Sequence, residues 1–328
     1  MPLRRQDLPR HHARPEARQC PQGPPTRVRR VQGLTQPPPP AALRWGAEGL
    51  WLALEPLLPG LTVEVVARIG STNTELLARA RQAPTDGLKP ALLVAEQQTA
   101  GRGRQGKAWQ SATDPAALGA SLTFSLALPL APADWSGLSL AVGLALADAL
   151  DPATPGQPPR LGLKWPNDLI LLDDGGRAAH IGRKLGGILI ETVQFGSQRL
   201  AVLGIGLNVQ PLRDAREAPA LSWGHACVQE LQPGLDAPAT LARVLPPLVQ
   251  ALHAFEAQGF APLQAAFTRR DVLAGRTVAT TLPALPQGRA DGVDATGTLW
   301  LHTGSGRHPV SSGDVSLKPL GPATGAPC

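Results

Sequence analysis

The stretch GRGRQGKAWQS, residues 101–111, decides the fold, because it can be read as either of two nucleotide-binding loops. Gly101, Gly103 and Gly106 satisfy G-x-G-x-x-G. Gly101, Gly106 and Lys107 satisfy the opening of G-x-x-x-x-G-K-[ST], with Ala108 where a hydroxyl belongs. Both fingerprints need a helix that starts at the glycines and turns its first amides toward the phosphates. Here Trp109, Asp114 and Pro115 follow instead, and then the alternating run SLTFSLAL (121–128), which reads as a strand. Ala108 also removes the hydroxyl that would hold Mg²⁺. Neither a dinucleotide fold nor a P-loop fold is expected. A loop of three glycines, two arginines and a lysine remains. Its backbone can approach a ligand closely, and its guanidinium forks suit phosphate or carboxylate oxygens. A solvated turn is the competing reading of the loop taken alone.

Outward from the loop, ALLVAEQ (91–97) is a buried-type strand and TVEVVARI (62–69) another. Between them STNTELLARARQA (71–83) reads as a helix, with Thr72 and Glu75 at capping-box spacing. AALRWGAEGLWLALEPLL (41–58) is helical up to Pro59-Gly60, and the Ala-rich LSLAVGLALADAL (138–150) is a buried helix. LGLKWPNDLILL (161–172) gives strand, proline break and strand, followed by a turn at Asp173-Asp174-Gly175-Gly176. KLGGILIETVQFG (184–196) and QRLAVLGIGLNV (198–209) form a hairpin. Two helical stretches run to about Arg270, the first interrupted at Pro246-Pro247. Short strands then follow in GRTVATTL, GVDATGTLWLHT and HPVSSGDVSL. The expected class is α/β (α+β): a mixed, largely antiparallel sheet with flanking helices, plus a small C-terminal β-barrel. The expected division is a tail over 1–42, a main domain over 43–270, the barrel over 271–320 and a short tail over 321–328.

The net charge of +6 over 328 residues invites a nucleic-acid reading, but its location argues against one. Residues 1–40 hold eight arginines against only Asp7 and Glu16, so they carry the whole excess and the remainder is neutral. That segment also holds ten of the 35 prolines and has no periodic apolar pattern, so disorder is expected of it. A basic arm or a targeting peptide are its competing readings. Cys20, Cys227 and Cys328 are too few and too scattered for a disulfide framework or a zinc site. No run approaches the ~18 apolar residues of a membrane span. A soluble cytoplasmic protein without a membrane partner is expected.

Four more segments, STN (71–73), KWPNDL (164–169), KLGGILIE (184–191) and GIGLN (204–208), join EQQTAGRGRQGKAW (96–109) in one order. Together they resemble the biotin protein ligase family, over about Thr62 to Leu320. The C-terminal GVDATGTLWL and SSGDVSL resemble that family's small SH3-like domain. The resemblance implies a class II synthetase-like or lipoate-ligase-like fold and two half-reactions. Biotin and Mg-ATP give biotinyl-5′-AMP and pyrophosphate; one lysine of a biotin carboxyl carrier protein domain of a biotin-dependent carboxylase then takes the biotinyl group and releases AMP. The chain has no Ser-His-Asp or Cys-His signature, and neither step needs a protein nucleophile. Too few residues precede the catalytic body for a winged helix-turn-helix. A ligase that is not a repressor is therefore expected, with no specific nucleic-acid partner and with a homodimer left open.

Residue by residue, the resemblance implies that Ser71, Thr72 and Asn73 meet the biotin head, with Gln98 reaching the same site. Gly101, Arg102, Gly103 and Arg104 form the adenylate loop, Arg102 and Arg104 facing phosphate and carboxylate oxygens. Lys107 stands where the family often has Arg and is assigned to the distal phosphates. Trp109 is expected to close over ligand. Lys184 matches the catalytic lysine, with Gly187 beside it allowing close approach. Asp168 is expected to orient Lys184 and the incoming amine and is the candidate metal contact. Asn208 matches the adenine-recognition position, and Trp223 is a looser match for an adenine cover. The competing functions are a lipoate-protein ligase or octanoyltransferase of the same fold and, from another class, a basic DNA-binding regulator.

Overall fold

The computed structural model describes residues 43–82, 88–109, 117–173, 182–195, 198–211, 224–311 and 318–319. The Arg/Pro-rich tail over 1–42, the turn after Asp173, Trp223 and most of SSGDVSL lie outside them.

Strict side-chain alternation makes the central strands two-faced, and each face finds its own cover. The strands are β1 (Thr62–Ile69), β2 (Ala91–Gln98), β3 (Ser121–Pro129), β4 (Leu161–Lys164), β5 (Asp168–Leu171), β6 (Arg183–Phe195) and β7 (Gln198–Asn208). They form a seven-stranded sheet in the order β1-β2-β3-β7-β6-β5-β4, parallel between β1 and β2 and antiparallel elsewhere. Leu122, Phe124, Leu126 and Leu128 of β3 and Leu203, Ile205 and Leu207 of β7 enter the main apolar cluster. The helices α1 (Ala47–Leu54), α3 (Leu138–Leu150) and α4 (Ala237–Gln258) contribute Leu54, Leu146 and Leu248 to the same cluster. The opposite face is covered by α2 (Thr72–Gln82), whose Leu76, Leu77 and Ala80 pack on Leu93, Ala127, Leu200 and Val202.

The sequence reading differs from the structure at three places. Pro246 and Pro247 do not interrupt α4, which runs through them as one helix. Two amide donors are missing there, but burial of Leu241, Val244, Leu245, Leu248, Val249 and Leu252 along one stripe holds the helix together. Its start is capped by Asp236, which accepts from Ala239 N at 2.8 Å. The predicted capping box at Thr72 and Glu75 is also absent. Ser71 caps α2 through Thr74 N, while Glu75 bonds Arg79 at 2.8 Å. Finally, QGRADGV (287–293) forms a strand that the sequence reading left out, ahead of the turn at Asp294 and the strand LWLHT it did include.

The C-terminal part is a five-stranded antiparallel sheet of β8 (Thr277–Ala279), β9 (Gln287–Val293), β10 (Leu299–Thr303), β11 (Gly306–Val310) and β12 (Lys318–Pro319). A short helix α5 (Gln264–Thr268) leads to it. Val278, Ala290, Leu299 and Leu301 belong to the same apolar cluster as the main sheet, so one core continues under both. Trp165 bridges the two by donating its indole N–H to Gly297 O at 3.0 Å. Arg270, 4% exposed at its side chain, fastens the end of α3 to β4 through Asp148, Asp151 and Leu161 O.

Candidate active site

On the α2 face, β7 changes from Leu200 and Val202 to Gly204 and Gly206, and β6 presents Gly187 opposite Gly206. The apolar floor gives way to bare backbone. A cavity of about 190 Å³ opens there, between the start of α2, the glycine loop and β5. The glycines are required: a β-carbon at Gly206 would run into the Trp109 indole, and one at Gly204 would lie 2.8 Å from Asn73 Cγ.

At one end Ser71, Thr72 and Asn73 are all buried. Thr72 N donates to Gln98 Oε1 at 2.7 Å, and the Thr72 hydroxyl lies 3.1 Å from the same oxygen. Asn73 Nδ2 donates to Glu191 Oε2 at 3.1 Å and to Leu189 O at 3.3 Å. Ser125, fully buried on β3, places its hydroxyl 2.6 Å from Asn73 Oδ1 and 2.7 Å from Thr72 Oγ1.

The glycine loop folds back as a tight turn, with no α-helix starting at its glycines. Arg102 and Ala108 pair as an antiparallel bridge, Gly103 N donates to Lys107 O at 2.6 Å, and Trp109 N donates to Gly101 O at 2.9 Å. Gln105 takes the left-handed conformation (φ 54°) and Gly106 follows at φ 72°. Arg104 and Lys107 line the cavity, as do Arg102, Gly103 and Trp109. Burial lowers the Arg104 guanidinium from its ordinary value, against the pull of Asp168. Arg102 turns to Glu191 at 3.2 Å. Trp109 Nε1 is buried with no hydrogen-bond partner.

At the other end, two ammonium groups share one carboxylate. Lys184 Nζ donates to Asp168 Oδ1 at 2.7 Å, and Lys164 Nζ donates to Asp168 Oδ2 at 3.2 Å. Burial pushes the Asp168 carboxyl upward, but Lys184 and Lys164 together outweigh it and hold the group below its ordinary range. Asn167 docks this strand end on β6, donating from Nδ2 to Ile188 O at 2.8 Å. With Arg102, Arg104 and Lys107 included, five cations line the cavity around a single acid. Such a site suits a polyanion and the redistribution of negative charge.

Asp168 does not fit the metal role assigned from sequence, because each of its oxygens is engaged by an ammonium that would repel a divalent cation. Among the described residues no group of three or more His, Cys, Asp or Glu could hold a metal. Asn208 is buried but does not line the cavity; its Nδ2 donates to Lys184 O and Ala226 O at 3.2 and 3.1 Å, bracketing the base of β6. The remaining expected residues, Ser71 to Asn73, Gln98, the loop, Trp109, Asp168, Lys184 and Gly187, surround the cavity together, Gly101 sitting beside Gln98 and Trp109. Lys164, Ser125 and Glu191 were not singled out from sequence. The available signals were a lysine ending the apolar strand LGLK, a serine inside the apolar SLTFSLAL and an acid closing GILIE.

Residues 65–208 match the profile of the biotin/lipoate A/B protein ligase family, and residues 275–318 match the biotin protein ligase C-terminal domain. The biotin–[acetyl-CoA-carboxylase] ligase of Mycobacterium tuberculosis is 36% identical over 77% of this chain and 88% of its own length. The enzyme of the same description from Paracoccus denitrificans is 33% identical over 76% of this chain and 98% of its own length. The solved biotin protein ligase of Aquifex aeolicus, in complex with biotin and ATP, shares the fold. It aligns with 79% of this chain and 99% of its own at a TM-score of 0.61 and 24% identity. Profiles laid across both sheets, and relatives above 30% identity matched over most of their length, make this chain a member of the biotin protein ligase family.

Proposed function

We propose that the chain is a biotin–[acetyl-CoA-carboxylase] ligase, which activates biotin with ATP as biotinyl-5′-AMP and passes it to a lysine of a biotin carboxyl carrier domain. The observation that carries this reading is the junction of a polar, buried head-group pocket with a five-cation cluster in one glycine-floored cavity. A carboxylate ligand whose head lies by Ser71, Thr72 and Gln98 extends its acid toward Arg102, Arg104 and Lys184. There the α-phosphate of the nucleotide meets it. Lys184 bridges carboxylate and phosphate as charge shifts onto the leaving pyrophosphate, and Lys107 holds the distal phosphates. Asp168 keeps Lys184 aimed and, in the second step, receives the amine of the carrier lysine. Mg²⁺ would enter with the phosphates of ATP.

The main sheet with its helices, over 43–270, acts as the catalytic domain, and 271–320 as an accessory domain. The protein works in the cytoplasm, where ATP and carboxylases meet. Neither specific nucleic acid nor a membrane is a partner, and a homodimer is compatible with the site. A lipoate ligase or octanoyltransferase would have little use for this polar end, since an aliphatic tail leaves the Gln98 Nε2 and the second lone pair of Asn73 Oδ1 without a partner, at ~1–3 kcal/mol per buried group. Pyrophosphate release from ATP, with biotin or octanoate as the only carboxylate, separates the two. Release with biotin alone is expected; equal release with octanoate overturns the assignment.

A further inference from the structure

Two side-chain amides enter the head-group end of the cavity, from Asn73 and Gln98, and their surroundings fix which end of each amide faces inward. Asn73 Nδ2 meets only acceptors, the Glu191 carboxylate and the Leu189 carbonyl, and both of its hydrogens are used there. Turning the amide over would set its oxygen against the carboxylate. The Asn73 oxygen has no proton, so the single hydrogen of the Ser125 hydroxyl must go to it, at 2.6 Å. Thr72 then gives its own hydrogen to Ser125 or to Gln98. One lone pair on Asn73 Oδ1 stays open. Gln98 is set the opposite way: its Oε1 accepts from Thr72 N and faces the Thr72 hydroxyl, which leaves its Nε2 as the free end.

We propose that Ser125 and Glu191 are positioning residues that fix the polarity of the Asn73 amide, so that this cavity offers an acceptor from Asn73 beside a donor from Gln98. The ligand chemistry that matches is a carbonyl flanked by N–H, as in a cyclic urea. Gly204, the register partner of Ser125 across the β3–β7 ladder, completes the seat by leaving room for the Asn73 amide. Neither Ser125 nor Glu191 needs to touch the ligand. The inference rests on the biotin reading and deepens it, since it assigns the selection of the ureido ring to two residues behind the pocket wall.

The test measures KM for biotin, for ATP and for a cyclic carbamate analogue of biotin in which oxygen replaces one ring N–H, all by pyrophosphate release. The parent should prefer biotin to the carbamate by about tenfold or more. Ser125→Ala should raise KM for biotin about tenfold, leave KM for ATP within about twofold, and shrink the preference over the carbamate. In an Asn73→Ala background the same substitution should change KM for biotin less than about twofold, because its effect passes through Asn73. Glu191→Ala, at a partly exposed position where folding is safe, should also shrink the carbamate preference. Equal rises in both KM values, an undiminished Ser125 effect without Asn73, or an unchanged carbamate preference in both variants would overturn the proposal while leaving the biotin reading intact. A parent that releases no pyrophosphate with biotin would overturn both.

Discussion

Lys184 Nζ meets Asp168 Oδ1 at 2.7 Å from the neighbouring strand β6, while Lys107, the other lysine proposed to face the nucleotide, stands on the exposed loop rim. The two should therefore fail differently. Lys184→Ala should lower the rate of adenylate formation by ~10²–10³, the usual effect of losing one preorganised charge contact. Lys107→Ala should mainly raise KM for ATP. Single-turnover formation of biotinyl-AMP at saturating ATP measures the difference. Near-parent rates for Lys184→Ala alongside a slow Lys107→Ala would place the reacting charge on the wrong lysine.

Asp168→Ala should destabilise the fold as well as the reaction. It would remove the carboxylate that Lys164, 9% exposed at its side chain, and Lys184 share, a loss of ~3–5 kcal/mol for a buried pair broken on one side. Urea denaturation of the parent and the variant gives the number. The lowered Asp168 pKa has a definite pH sign. The stability it contributes is full above the unfolded value of about 3.9 and is lost only as pH falls through the lower folded value. An acid limb in the rate profile above about pH 5 would have to come from another group.

Asp271 has the opposite sign. Burial raises its carboxyl to about 6, despite the Leu273 and Ala274 amides, and its Oδ2 is buried without a hydrogen-bond partner. The folded state thus holds a proton that the unfolded state has released, and stability falls as pH rises from about 4 through the folded value. Asp271→Asn keeps an acceptor for Leu273 N and removes this ionisation. It should raise the melting temperature at pH 8, by an amount worth up to ~3 kcal/mol, and give no such gain at pH 4. A gain that does not depend on pH would show that Asp271 is ionised without cost.

Arg270→Ala should cost ~3–5 kcal/mol, because it takes the counter-charge from the Asp151 carboxylate, which keeps only the Arg160 and Leu161 amides, and a donor from two backbone carbonyls at once. Arg270→Lys should recover little, since one ammonium cannot reproduce a fork that reaches Asp148, Asp151 and Leu161 O together. Denaturant midpoints of the two variants test this. A variant as stable as the parent would contradict the bracing role.

Periodicity carried most of the fold. SLTFSLAL alternates, TVEVVARI and ALLVAEQ are short β-branched or apolar runs of strand length, and the long apolar LSLAVGLALADAL could only be a buried helix. Pro246-Pro247 misled because local propensity was outweighed by a buried stripe that becomes visible only when α4 meets α3 and the sheet. QGRADGV was missed as a strand because Gly288, Asp291 and Gly292 lower strand propensity, although its register with β10 is set by long-range pairing. The ring of residues around the cavity was legible where a motif held it. Lys164 and Glu191 stand at the ends of the motifs KWPNDL and KLGGILIE, and Ser125 inside an apolar strand, yet their roles were not legible, because what distinguishes them is the atom each one faces across the sheet. Asn208 shows the converse: a motif residue whose amide is taken up by its own backbone neighbourhood.

The bond from Trp165 to the turn at Gly297 bears on how such chains can be recombined. Trp165 stands immediately before Pro166, Asn167 and Asp168, so the small sheet grips the segment that sets the acid between its two lysines. Exchanging the last fifty residues for those of a relative would be no neutral graft. Unless the incoming turn offers a carbonyl at the same place, a buried indole N–H loses its acceptor three residues from the reacting centre, and the fault surfaces as slower chemistry instead of a missing accessory part. Inheritance of the two sheets is therefore joint, and shuffled hybrids should work only when the Gly297 turn travels with the tryptophan that reads it.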